Sequence, residues 1–60
     1  MFIEEMIERL KKARVEMQEQ MEEDPSDEIR QMLLDDGIRE IDISIEALEK
    51  KLREEENSNG

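Results

Sequence analysis

Sixty residues make one domain at most, and with neither Cys nor His the chain has no disulfides, no thiolate metal site and no imidazole ligand or general base. A chain this short buries a modest core, so oligomerisation is the stabilising device left to it. Nineteen acidic residues against nine basic ones give a net charge of −10. That balance opposes direct binding to DNA, RNA or an anionic membrane, which need a basic footprint, and Phe2 is the only aromatic available for stacking.

The pattern predicts a first helix over residues 2–23. Ile3, Ile7, Leu10, Met17 and Met21 recur at 4-3 spacing, interrupted by Arg14, and Phe2, Met6 and Ala13 widen the stripe on one side. Glu4, Glu5, Glu8, Arg9, Lys12, Glu16 and Glu19 form the opposite face, where Glu5–Arg9 and Glu8–Lys12 are spaced as i,i+4 pairs. The break follows at Glu22-Glu23-Asp24-Pro25-Ser26-Asp27-Glu28. Asp24 suits an N-cap and Pro25 the first helical position, with Ser26 as the rival cap. So short a connection makes the flanking helices antiparallel neighbours.

A second helix is predicted over 25–55, with two apolar stripes. One is Ile29, Met32, Leu33, Ile43 and Ala47; the other is the unbroken series Leu34, Ile38, Ile41, Ile45, Leu48 and Leu52. They lie roughly 140° apart at about 100° per residue. Gly37 could end a helix after Asp35-Asp36 and yield a monomeric three-helix bundle, but the second stripe keeps its phase through it, which favours continuity. The period-two run Ile41-Asp42-Ile43-Ser44-Ile45 resembles a strand, yet it has no ladder partner here. Residues 56–60 are polar and read as a disordered tail. The expected fold is therefore an all-α hairpin over residues 1–55.

Antiparallel alignment about residues 24–25 sets the first stripe against the first helix. The intrachain core is then Ile3, Met6, Ile7, Leu10, Met17, Met21, Ile29, Met32, Leu33 and Ile43, and Arg14 meets Asp35 or Asp36 as a partly buried ion pair. This leaves Leu34, Ile38, Ile41, Ile45, Leu48 and Leu52 facing outward. The expected consequence is a homodimer joined along that row, a four-helix bundle flanked by Glu46–Lys50 and Glu49–Arg53.

No catalytic constellation emerges. Ser26, Ser44 and Ser58 lack a His partner, and Asp35-Asp36-Gly37 lacks the ligand spacing of a calcium loop. No catalytic residue, cofactor or metal is expected. No basic leader or apolar span of membrane length is seen, so a cytoplasmic protein is expected. The expected function is non-enzymatic: a small acidic homodimer that binds a larger protein, one with a basic surface, and inhibits or sequesters it, as virus-encoded inhibitors of host or defence enzymes do. Two other readings are a nucleic-acid mimic filling a basic groove and an assembly subunit of a larger helical complex.

Overall fold

The computed structural model describes residues 2–58, with side chains as far as Asn57. They form two helices, α1 (Phe2–Glu23) and α2 (Glu28–Ser58), packed as a hairpin with principal extents of 51 × 15 × 11 Å. The all-α hairpin is the fold that the periodicity predicts. Among the described residues no segment is a strand, and no helix is long and apolar enough to cross a membrane.

The connection is built differently from the expected one. Asp27, rather than Asp24 or Ser26, caps α2: its Oδ1 accepts from the Arg30 backbone N–H at 3.0 Å, and its carbonyl accepts the Gln31 N–H at 2.9 Å. Pro25 sits at the second position of a turn closed by Asp27 N–H donating to the Asp24 carbonyl at 3.4 Å. Its locked φ suits that position as well as it suits the start of a helix. Ser26 Oγ donates to Asp24 Oδ1 at 2.7 Å, which occupies both alternative caps with each other. Gln31 reaches back across the connection, and its Nε2 donates to the carbonyls of Met21 at 2.7 Å and Asp24 at 3.1 Å. Carbonyls at a helix C-terminus have no partner within the helix, so one side chain of α2 closes the end of α1.

α2 runs unbroken through Gly37, whose φ is not positive. A Cβ there would lie 3.2 Å from Met17 Sδ, so the missing side chain leaves room for the Met17 thioether of α1. Beyond residue 55 the helix continues through Ser58. Residues 53–58 contain neither Gly nor Pro, and glutamate is a good helix former. The rest of the expected tail, residues 59–60, lies outside the described residues.

The larger correction concerns which stripe of α2 faces α1. The buried residues are Ile7, Ile41 and Ile45, with Ile3, Leu10, Ala13, Met17 and Leu48 packed around them. The row Leu34, Ile38, Ile41, Ile45, Leu48 and Leu52, expected to join two chains, thus lies toward α1, and Leu34, Ile38 and Leu52 are half-buried along it. The expected core residues Ile29, Met32, Leu33 and Ile43 are 67–74% exposed, and Met6 is exposed too. The reason is charge. Asp36 and Glu40 interrupt the Ile29–Ala47 stripe, and burying it would strip water from two carboxylates at several kcal/mol each. The other row has no such break over its length.

Candidate protein-binding surfaces

The corrected register moves the ion pair. Arg14 Nη1 donates to Asp42 Oδ1 at 2.6 Å, not to Asp35 or Asp36. Asp35 instead holds Arg39 on its own helix at 3.3 Å. Arg30 lies 4.0 Å from Glu23 across the connection. Among the described residues the expected pairs Glu5–Arg9, Glu8–Lys12, Glu46–Lys50 and Glu49–Arg53 are not at salt-bridge distance. Arg14 lies within the α1 stripe and extends its guanidinium to the edge of the interface, where the pair stays partly wet.

Two contacts on either side of the helix–helix seam divide the hairpin into two broad sides. Met17 against Gly37 marks one, and Arg14 to Asp42 marks the other. At about 100° per residue, the positions flanking Met17 and Gly37 are Phe2, Met6 and Ala13 on α1 and Leu33 and Ser44 on α2. Ile29 and Ala47 lie at the outer margin of this side. Phe2, Ile29 and Leu33 are 76%, 74% and 68% exposed. The charges here are mixed: Arg9, Arg30 and Lys51 with Glu16, Glu40 and Glu55.

The Arg14–Asp42 side has the opposite character. Glu4, Glu8, Glu22, Glu28, Asp35, Glu46 and Glu49 follow it along both helices, joined by Lys11, Arg39 and Arg53. Val15 is an exposed apolar residue on that side. Met32 and Ile43 belong to neither side and point away from α1 along the outer edge of α2. The hairpin is thus a slab with one mostly apolar, charge-mixed side and one acidic side. Alignment by hydrophobic stripes alone missed this division. The signal available for it was the leaning of Phe2, Met6 and Ala13 to one flank of α1.

A shallow depression lined by Glu4, Glu5, Glu8 and Arg9 opens on α1 at the margin of the acidic side. Among the described residues no three carboxylates gather closely enough to hold a metal ion. Comparisons with protein-family models, curated proteins and solved structures found no match for the chain.

Proposed function

We propose that the protein is a non-enzymatic protein-binding module, working as a homodimer, whose acidic side takes a basic surface of a larger protein and inhibits or sequesters it. The observation that carries this reading is the segregation of charge. Carboxylates spread for solubility alone need not favour one side, whereas a predominantly acidic face steers an oppositely charged partner and fixes its orientation. Rigid helices hold that face without the ordering cost of a flexible acidic tail.

The test is affinity capture from the source cell at low and high salt. It compares the wild type with a variant carrying Glu4→Gln, Glu8→Gln, Glu46→Gln and Glu49→Gln. A partner held by the wild type at low salt, shed as salt rises and not held by the variant supports the reading, because exposed charges more than about 10 Å apart are screened at 0.1 M salt. Equal retention by a variant of unchanged helicity contradicts it. The captured partner's activity is then measured with and without the chain, and its loss is the expected result.

A further inference from the structure

We infer that the outer edge of α2 is a coiled-coil seam for a helix of a different protein, one whose apolar stripe carries Lys or Arg at its middle. This goes beyond the binding proposed for the acidic side and depends neither on it nor on the homodimer. The seam is read from spacing. Ile29, Leu33, Asp36, Glu40, Ile43 and Ala47 follow one another at 4-3-4-3-4 intervals, the a/d spacing along which two helices interlock. The row from Leu34 to Leu52 has the same spacing and lies toward α1. α2 thus carries two seams, and α1 fills one. On the open seam Ile29, Leu33 and Ile43 are 74%, 68% and 67% exposed, and Ala47 is exposed as well.

Charge names the occupant. Asp36 and Glu40 hold the two middle positions of the seam, both are exposed, and neither is at salt-bridge distance from a Lys or Arg among the described residues. A helix laid on the seam strips water from both carboxylates, so it must bring cations to them. Polar groups at seam positions also fix register and partner, at a cost in stability. A second copy using the same edge does not meet this requirement. Aligned antiparallel so that Ile29 meets Ala47 and Leu33 meets Ile43, two copies set Asp36 against Glu40; aligned in parallel, they set each carboxylate against itself. The chain's own stripe with a cation among apolar positions is that of α1, where Arg14 lies between Leu10 and Met17. It already faces the other row of α2, and Arg14 is held by Asp42.

From Ile29 to Ala47 the seam runs about 27 Å at about 1.5 Å per residue, so it takes a partner stretch of about 20 residues. The full chain is titrated with two labelled synthetic helices of that length, followed by fluorescence anisotropy. Both carry a leucine stripe at a/d spacing and have the same net charge. One has Arg at the two middle stripe positions and Glu on its far face, and the other has these exchanged. The Arg-centred helix binds more tightly by about tenfold or more, because like charges set face to face cost at least that. Asp36→Arg with Glu40→Arg inverts the preference, and Ile29→Ser with Ile43→Ser weakens binding of the Arg-centred helix. All four positions are exposed, and unchanged circular dichroism verifies the fold of each variant. Equal affinity for the two helices, or binding indifferent to Ile29 and Ile43, overturns the seam. In the source cell, a photo-reactive residue replacing Ile43 forms an adduct with an apolar helix of another protein centred on Lys or Arg. An adduct with a second copy of this chain, with a segment lacking that pattern, or with nothing overturns the occupant.

Discussion

Single side chains set the geometry at both ends of α2's first stretch. Gln31 supplies donors to two carbonyls at the end of α1, so Gln31→Leu leaves them to water at a partly exposed site. The expected cost is about 1 kcal/mol, read as a lower urea midpoint with an unchanged slope. Gly37 answers to two opposed effects. Alanine gains about 1 kcal/mol of helix propensity, and its Cβ meets only the thioether of Met17, 3.2 Å away. Methionine has three rotatable bonds and yields. Gly37→Ala therefore raises the melting temperature, and Gly37→Leu lowers it by pushing α1 away. Arg14 and Asp42 are 36% and 47% exposed. A double-mutant cycle on them returns about 0.5 kcal/mol, the scale of a solvated pair.

At the scale of elements, the account turns on which stripe of α2 is the core. Ile45→Ala removes a buried side chain and costs about 2–4 kcal/mol. Ile43→Ala, at a position 67% exposed, changes stability by less than about 0.5 kcal/mol. Equal effects at the two positions in urea titrations would refute the packing. Both helices, their antiparallel sense and the continuity through Gly37 were legible in the sequence because they depend on local periodicity and a short connection. The stripe choice was not. It compares two long-range packings, and the apparent match of Arg14 to Asp35 and Asp36 misled. With 19 acidic residues in 60, nearly any register offers an arginine a carboxylate. The interruptions at Asp36 and Glu40 were the better guide, since a buried stripe tolerates a charge only with a partner. The cap moved from Asp24 to Asp27 for a related reason: three candidates within four residues are separated only by the turn they jointly form.

For the whole molecule, the proposed homodimer and the proposed basic target respond to salt in opposite directions. Each chain carries −10, so two chains repel at long range even when their packed faces are compatible. Screening that repulsion strengthens the dimer, whereas screening the attraction to a basic target weakens the complex. Sedimentation equilibrium of the wild type between about 0.05 and 0.5 M salt, a range over which the Debye length shrinks several-fold, tests this most directly. The account predicts a dimer whose dissociation constant falls as salt rises; a dimer that loosens with salt, or a folded monomer throughout, would contradict it.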